Sequence, residues 1–311
     1  MNAHMACQCH ELSIERTLMR LLAALVVMLL TSTSLVAQSA PKAIWTDPPH
    51  DKQHPARMQV LHVPSGGVKI NGIALVAAGA GVHPTLVFLH GLPGNEKNID
   101  LLQAVRRAGW NAVTINYRGS WGSPGDFRFD NTLADAAALL AFLREPANAQ
   151  ALGIDTTRLV LGGHSMGGWV TAMTASRDRG LVGAILISAA NMGAEGGVTR
   201  EKATEMMADN MESLAGGTAE TFGDDLRRGA AARNWSHAVS GLARLPLLVL
   251  TADDGLAPAS DSLVASLRRA GDHRVTVVHE ATDHSWSDRR IALESAVLRW
   301  LQQPPARPET H

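Results

Sequence analysis

The chain has 311 residues, of which 46% are hydrophobic and 18% charged, with 28 basic and 29 acidic side chains. This is the composition of an ordinary globular protein with enough apolar material for a sizeable core. A formal net charge of −1, without a block of like charges, excludes the electrostatic footprint of a nucleic-acid-binding protein. The two cysteines, Cys7 and Cys9, lie together near the N-terminus, which excludes a disulfide framework and a zinc ribbon.

The N-terminal residues have the pattern of a secretory signal. Arg16 and Arg20 precede ten consecutive apolar residues, Leu21 to Leu30, and small residues follow up to Ala37. This pattern predicts a signal peptide over 1–37 and export to the periplasm or the medium. The apolar run is shorter than the roughly 20 residues that span a bilayer, and an uncleaved N-terminal membrane anchor is the alternative. Cleavage would leave a mature chain without cysteine and without a stable membrane span.

From residue 58 onward, short apolar runs alternate with amphipathic stretches. Residues 60–63 and 68–76 predict an antiparallel opening pair, joined by a turn at 64–67. Further buried strands are predicted at 85–89, 112–115, 159–161, 184–187, 247–250 and 275–278. Crossover helices are predicted around 98–108, 132–144, 167–177, 259–270 and 287–301. The alternation predicts an α/β fold with a mostly parallel, eight-stranded sheet covered by helices on both faces.

The segment between Ser188 and Leu245 is too long for one crossover connection, so we expect a helical cap inserted at 189–245. Five of its apolar residues recur at helical spacing and predict one helix with an apolar stripe: Ala203, Met206, Met207, Met211 and Leu214. The methionines either pack on the body of the protein or line a pocket under the cap. The remaining predicted segments are an N-terminal extension at 38–57, a catalytic domain at 58–301 and a flexible tail at 302–311.

A strand, a glycine-rich turn and a helix follow one another between residues 158 and 169. The turn reads Gly163-His164-Ser165-Met166-Gly167, which is the Gly-x-Ser-x-Gly pattern of a nucleophile turn. Its glycines allow the strand and the helix to approach each other, and the helix N-terminus directs N–H groups toward an oxyanion. A P-loop does not fit, because Gly168 stands where lysine is needed, and the glycine spacing is not that of a dinucleotide site. Ser165 is therefore the predicted nucleophile.

A serine nucleophile needs a base, and the base needs an acid that orients it. In a fold of this kind the acid and then the histidine follow later strands of the sheet. Asp253 and Asp254 follow the strand at 247–250, and His284 follows the strand at 275–278. His284 is the predicted base, and the two adjacent aspartates are alternative acids. Asp283 is a poor candidate because a direct neighbour can hardly reach the edge of the His284 ring.

The loop after the strand at 85–89 is the expected oxyanion hole. It reads His90-Gly91-Leu92-Pro93-Gly94, and the backbone N–H groups of Leu92 and Met166 are the predicted donors. Three tryptophans near the predicted site are candidate walls of a substrate pocket, with core packing as the alternative: Trp121, Trp169 and Trp286. Arg118 either binds a carboxylate or forms a structural salt bridge.

These loops resemble those of α/β-hydrolases of the esterase and acylaminoacyl-peptidase type, close to the prolyl-oligopeptidase-like hydrolases. The resemblance covers about residues 60–301 and rests on 90–94, 116–123, 163–168, 254–258 and 283–285. In such relatives the acid commonly lies four residues before a proline, as Asp254 lies before Pro258, so the resemblance favours Asp254 over Asp253. Thr251 stands where relatives usually carry a glycine.

Together the motifs and the resemblance predict a serine hydrolase that cleaves carboxylic esters through an acyl-enzyme, without a metal or an organic cofactor. Esters are favoured over peptides because no propeller-sized domain precedes the catalytic one and no acidic site for a peptide amino terminus is evident. A serine peptidase and an acyltransferase using the same residues are the alternatives. A non-catalytic binding protein is disfavoured by the complete set of Ser165, Asp254 and His284. The expected partner is a small-molecule ester or amide, not a nucleic acid.

Overall fold

A computed structural model describes residues 39–303 of the chain. The predicted signal peptide at 1–37 and residues 304–311 of the predicted tail lie outside the described residues. One sheet forms the centre of the fold, with the strand order β1-β2-β4-β3-β5-β6-β7-β8. Its strands are β1 (Arg57–Ser65), β2 (Val68–Val76), β3 (His83–Leu89), β4 (Asn111–Ile115), β5 (Ile154–His164), β6 (Leu181–Ile187), β7 (Leu247–Ala252) and β8 (Val275–Glu280).

Strand β2 is antiparallel to β1 and to β4, and the other neighbouring pairs are parallel. The predicted mostly parallel, eight-stranded sheet is therefore confirmed. Strand β8 differs from the sequence prediction, which treated it as buried. It lies at the edge of the sheet and is partly exposed along its length, with Val277 36% exposed.

Helices cover both faces of the sheet. In chain order they are α1 (Ile99–Arg107), α2 (Phe129–Arg144), α3 (Pro146–Leu152), α4 (Met166–Ala175), α5 (Met192–Glu195), α6 (Arg200–Ala208), α7 (Ala219–Arg228), α8 (Ala230–Arg233), α9 (Val239–Leu242), α10 (Ala257–Arg269) and α11 (Arg290–Gln302). Helices α1 and α11 pack in the apolar cluster on one face, whereas α2, α4 and α10 pack in the larger cluster on the other. Each fully buried aliphatic side chain contributes about 1.5–3 kcal/mol to folding.

Helix α3 has no counterpart among the predicted elements, although its ends carry recognisable signals. Pro146 occupies the first turn, where the missing N–H costs nothing, and Gly153 ends the helix with a φ of +59°. The helix is only seven residues long, and an apolar stripe is hard to recognise in so short a segment.

The segment between β6 and β7 contains the helices α5 to α9. The predicted helix with an apolar stripe is shorter than expected, because α6 ends at Ala208 and Met211 begins a separate 3-10 turn. Asn210, whose amide binds the carbonyl of Met206, marks this break, since asparagine competes with the helical backbone. Within α6, Ala203 and Met207 are buried.

The segment between β6 and β7 is joined by backbone hydrogen bonds to the loop that follows β4. The Trp121 N–H donates to Ser213 at 3.0 Å, and the Ala215 N–H donates to Gly119 at 2.8 Å. Arg233 adds an ion pair between a buried guanidinium, 3% exposed, and the solvent-exposed carboxylate of Asp130, at 2.9 Å. These contacts dock the segment between β6 and β7 on the body of the protein.

Arg290, at the start of α11, connects helix α1 with the loop that carries Ser285. Its guanidinium binds Asp100 on α1 at 2.8 Å and the carbonyl of Ser285 at 2.9 Å. Glu294, one turn further along α11, is 5% exposed. Burial, together with the nearby charge of Asp100, raises the pKa of Glu294 to about 7.

We expect Glu294→Gln to stabilise the protein at pH 8 and to leave its stability at pH 4 unchanged. A raised pKa in the folded state means that stability is lost as the pH rises through about 7, where the buried carboxyl ionises. The amide carries no charge, so the free energy of unfolding at pH 8 should rise by about 1–2 kcal/mol. Urea denaturation at both pH values measures this difference. Glu205→Gln, on the exposed side of α6, is the control and should change stability by less than about 0.5 kcal/mol.

No helix within residues 39–303 combines the length and the apolar character needed to cross a membrane.

Candidate active site

Ser165 occupies a sharp turn between strand β5 and helix α4. Its φ of +58° is unfavourable for a residue with a side chain, and such backbone strain concentrates at functional sites. Gly163 has no room for a side chain, because a Cβ there would lie 2.2 Å from the carbonyl oxygen of Gly167. The close approach of strand and helix thus holds Ser165, half-buried, at the tip of the turn.

The structure brings His284 and Asp254 into direct contact. The Nδ1 of His284 lies 2.8 Å from Oδ2 of Asp254, whose side chain is 3% exposed, while the His284 side chain is 39% exposed. The other oxygen of Asp254 accepts the N–H of Leu256 at 3.0 Å. Burial opposes the ionisation of Asp254, but the hydrogen bonds from His284 and Leu256 outweigh it, so that the pKa of Asp254 lies below its usual value. Asp254 is therefore an ionised acceptor that can fix the tautomer of His284.

The neighbouring aspartate, Asp253, serves a different histidine. Its carboxylate lies 3.2 Å from Nε2 of His279 on β8. The other ring nitrogen of His279 lies 3.0 Å from the hydroxyl of Thr251. The side chain of Thr251, at the position where relatives usually carry a glycine, is thus used to hold His279. The two adjacent carboxylates are directed at different histidines, and only that of Asp254 is hydrogen-bonded to His284.

His284 lies beside the end of the strand that carries Ser165. The ring of His164, the residue before Ser165, has its centroid 4.6 Å from the centroid of the His284 ring. Within residues 39–303 no hydrogen bond joins the Ser165 hydroxyl to His284. Catalytic hydrogen bonds often close only when substrate is bound. The structure therefore places Ser165, His284 and Asp254 at the carboxyl ends of the parallel strands. His284 and Asp254 are in direct contact.

The predicted oxyanion loop packs directly against Ser165. A Cβ at Gly91 would lie 2.8 Å from Cβ of Ser165 and 3.3 Å from its Oγ. The backbone N–H groups of Leu92 and Met166 have no acceptor among residues 39–303. Both are consequently available to a ligand oxygen, as an oxyanion hole requires.

Several neighbours hold this loop in place. The carbonyl of Pro93 accepts the indole N–H of Trp121 at 2.7 Å and the hydroxyl of Ser213 at 3.0 Å. The ring of His90 is buried and donates from Nδ1 to the carbonyl of Gly91 at 2.8 Å. Burial lowers the pKa of His90 to about 4, so the ring is neutral at neutral pH. The loop that carries Trp121 and the segment that carries Ser213 thus both hold the oxyanion loop in place.

Two of the three tryptophans predicted to wall a substrate pocket belong to the core. Trp169 and Trp286 are 0% exposed. The indole of Trp169 donates to the carbonyl of Arg233 at 2.6 Å, and that of Trp286 donates to the hydroxyl of Ser188 at 3.1 Å. Of the two interpretations, core packing describes both residues, because their rings are satisfied inside the fold and offer no surface to a substrate.

Trp121 remains a candidate for contact with a substrate. It is partly exposed on the rim of the sheet, and its backbone φ is +48°. The ammonium group of Lys97 lies 4.5 Å from the centroid of its ring and donates to Asn116 at 2.9 Å. Desolvation lowers the pKa of Lys97. One face of the Trp121 ring thus packs against the Lys97 ammonium group, and its indole N–H donates to Pro93 in the oxyanion loop.

Ser188 is a residue of this region that the sequence did not predict. It follows β6 directly, is 1% exposed and has a φ of +43°. Its hydroxyl accepts the indole N–H of Trp286 and faces Asp254, where it helps to lower the pKa of that carboxyl. A serine directly after a buried strand was the one signal in the sequence, and many structural serines share it.

Arg118, left open between two interpretations, forms a structural salt bridge. Its Nε lies 2.6 Å from Oδ1 of Asp135, whose side chain is 0% exposed. Among residues 39–303 no group of three or more histidine, cysteine, aspartate or glutamate side chains could hold a metal ion.

Comparisons with known proteins assign the family. Residues 86–296 match the alpha/beta hydrolase family, which is more than half of the chain. The chain therefore belongs to the alpha/beta hydrolase family.

Solved structures of hydrolases share the fold. An esterase from Pyrobaculum calidifontis superposes with a TM-score of 0.61 at 19% identity, over 80% of this chain and 87% of the esterase. EstE1, a carboxylesterase cloned from a metagenomic library, gives 0.56 at 22% identity, over 81% and 92% of the two chains. An acylaminoacyl peptidase from Pyrococcus horikoshii gives 0.59 at 15% identity, over 82% of this chain and 43% of the peptidase. The family and these neighbours support hydrolase activity.

Proposed function

We propose that this protein is a serine hydrolase that cleaves carboxylic esters through an acyl-enzyme on Ser165. The observation that carries the proposal is the 2.8 Å hydrogen bond between His284 and the buried Asp254. Both residues lie at the carboxyl ends of the strands, as does the strained Ser165 turn. A base held by a buried carboxylate, next to a serine on such a turn, is the arrangement that nucleophilic acyl transfer requires.

In the acylation step, the Ser165 oxygen attacks the ester carbonyl while His284 Nε2 takes the serine proton. The carbonyl π electrons move onto oxygen, which the N–H groups of Leu92 and Met166 stabilise as an oxyanion. Asp254 stays ionised and stabilises the imidazolium. When the carbon–oxygen bond to the alcohol breaks, His284 returns the proton to the departing oxygen, leaving an ester on Ser165.

Deacylation repeats these steps with water in place of Ser165. His284 takes a proton from water, the hydroxide oxygen attacks the acyl carbon, and the second tetrahedral oxyanion occupies the same hole. Collapse breaks the bond to Ser165, which receives the proton from His284, and the carboxylic acid leaves. Every proton is accounted for by His284 and water, so the chemistry requires no metal or organic cofactor.

A neutral or weakly polar ester is the proposed substrate. The esterases among the structural neighbours support an ester, whereas the acylaminoacyl peptidase supports the alternative of an amide. A series of nitrophenyl esters from acetate to palmitate, measured beside aminoacyl amides, distinguishes the two. Higher kcat/KM for the amides than for every ester would overturn the preference for esters. Addition of alcohols or amines, with product analysis, separates hydrolysis from acyl transfer.

Covalent labelling tests the assignment of the nucleophile. A fluorophosphonate should inactivate the protein with one modification per chain, and mass spectrometry should locate it on the peptide that contains Ser165. The Ser165→Ala variant, folded as judged by circular dichroism, is the control and should remain unlabelled. An active protein that resists labelling, or a label on another serine, would refute the proposed mechanism.

We also propose that the protein is exported after removal of residues 1–37. N-terminal sequencing of material from the periplasm or the medium should begin at Gln38 or within a few residues of it. Recovery of the intact chain from the membrane fraction would instead support the N-terminal anchor.

A further inference from the structure

His164 directly precedes the predicted nucleophile in the chain and contacts the predicted base. Its Nε2 lies 2.8 Å from the backbone carbonyl oxygen of His284, and its ring is tilted by 47° against the His284 ring at a centroid distance of 4.6 Å. The side chain is buried, with 4% of the residue exposed. Two contacts therefore join His164 to His284, a hydrogen bond to its backbone and packing of the two rings.

The chemistry of this contact fixes the tautomer and the charge of the His164 ring. A backbone carbonyl can only accept a hydrogen bond, so Nε2 of His164 must carry the proton. Burial lowers the pKa of His164 to about 4, and the neighbouring His284 adds to this effect. The ring is therefore a neutral Nε2–H tautomer at neutral pH, and its donor is directed at one atom.

His284 needs such a support because the rest of its environment is open. Its side chain is 39% exposed, and among residues 39–303 its one hydrogen bond to another side chain joins Nδ1 to Asp254. The loop that carries His284 is also held at the next residue, where Arg290 donates to the carbonyl of Ser285 at 2.9 Å. A hydrogen bond to the carbonyl of His284 itself fixes the backbone from which the imidazole is suspended. Displacement of a catalytic group by about 1 Å can cost 10²-fold in rate.

We propose that His164 is a positioning residue that orients His284 toward Ser165 through the Nε2–H that it donates to the His284 carbonyl. The proposal rests on the proposed function of Ser165 and His284. It assigns a role to the variable position of the Gly-x-Ser-x-Gly turn that directly precedes the serine. Because His164 and Ser165 are consecutive residues, movement of the turn moves the nucleophile and the support of its base together.

Two substitutions separate the two contacts. His164→Gln places an amide N–H near the position of Nε2 and removes the ring, whereas His164→Phe keeps a ring and removes the donor. If the hydrogen bond positions His284, kcat for a nitrophenyl ester should fall about 10- to 100-fold in His164→Phe and less than about 5-fold in His164→Gln. KM should stay within about two-fold in both, since His164 is buried and does not contact substrate.

The measurements include one that a purely structural role would not change. The downfield proton resonance of His284 Nδ1–H reports its hydrogen bond to Asp254 and should be retained in His164→Gln but broadened or shifted in His164→Phe. His279→Gln is the control, because that imidazole lies on β8 and pairs with Asp253 outside the proposed machinery. It should leave kcat and the resonance unchanged.

The outcomes distinguish the further inference from the proposed function. Wild-type kcat and an unchanged resonance in His164→Phe would overturn the positioning role, while fluorophosphonate labelling of Ser165 would still support the mechanism. Equal losses of kcat in both variants, in proportion to their losses in melting temperature, would also overturn it. If His164→Phe does not fold, the shorter amide of His164→Asn replaces it and should reproduce the loss of kcat.

Discussion

Replacement of Asp254 by asparagine is expected to lower kcat for ester hydrolysis about 10⁴-fold, with KM changed by less than a few-fold. The carboxylate accepts Nδ1–H of His284 at 2.8 Å and keeps Nε2 free to take the serine proton. An amide can donate to Nδ1 and favour the opposite tautomer, in which Nε2 carries the proton and cannot act as a base. The imidazolium also loses its counter-charge in the buried environment. Steady-state hydrolysis of a nitrophenyl ester measures the loss.

The adjacent aspartate provides a matched control. Asp253→Asn removes the same charge one residue away, from a carboxylate that is directed at His279. We expect kcat to change by less than about two-fold, because net charge alone has a small effect on an exposed pair. A large loss in Asp253→Asn together with a small loss in Asp254→Asn would contradict the assignment of the acid.

The arrangement of the sheet was predictable because its strands are short and apolar and are separated by helical stretches. Residues 85–89, 159–161 and 247–250 are buried in the structure within β3, β5 and β7. Strands covered on both faces need apolar residues at consecutive positions, and this pattern is visible without knowledge of the fold. At the edge of the sheet, β8 has the same apolar pattern and is partly exposed. Position within the sheet depends on pairing partners, which a local pattern does not contain.

The candidate site was predictable where backbone geometry constrains the residue type. The Ser165 turn requires glycines on both sides, so its position could be read directly from the sequence. The two aspartates illustrate the opposite case. Asp253 and Asp254 are consecutive and chemically identical, and their directions depend on the local path of the chain after β7. Spacing alone therefore left both open, and only the resemblance to relatives favoured Asp254.

Side chains that act through long-range contacts were the least predictable. The positions of Trp169 and Trp286 beside Ser165 and His284 left a pocket wall and core packing open, and the structure shows both buried with satisfied indole groups. The partner of Trp286 is Ser188, which is 98 residues away in the chain. Nothing in a local pattern distinguishes a tryptophan that reaches such a partner from one that faces solvent.

Gly91→Ala is expected to lower kcat/KM about 10²- to 10³-fold. Gly91 does not have a positive φ, so alanine is compatible with its backbone, and the effect is confined to the added methyl group. That methyl would lie 2.8 Å from Cβ of Ser165 and 3.2 Å from the carbonyl oxygen of His164. The backbone of the Ser165 turn is held between β5 and α4. We therefore expect the oxyanion loop to move away, so that the Leu92 N–H no longer points at the oxyanion. The loss is of the size caused by removal of one oxyanion donor.

A transition-state analogue tests whether Gly91→Ala weakens binding of the tetrahedral state. A trifluoromethyl ketone forms a tetrahedral adduct on Ser165, so its affinity should fall in parallel with kcat/KM if the oxyanion hole is lost, while KM for the ester changes little. Gly197→Ala, in the inserted segment, adds the same methyl 3.1 Å from the carbonyl oxygen of Ala194 and should leave both quantities within about two-fold. Unchanged analogue affinity in Gly91→Ala would show that the loop at 90–94 does not bind the oxyanion, and the donors would then have to be sought elsewhere around Ser165.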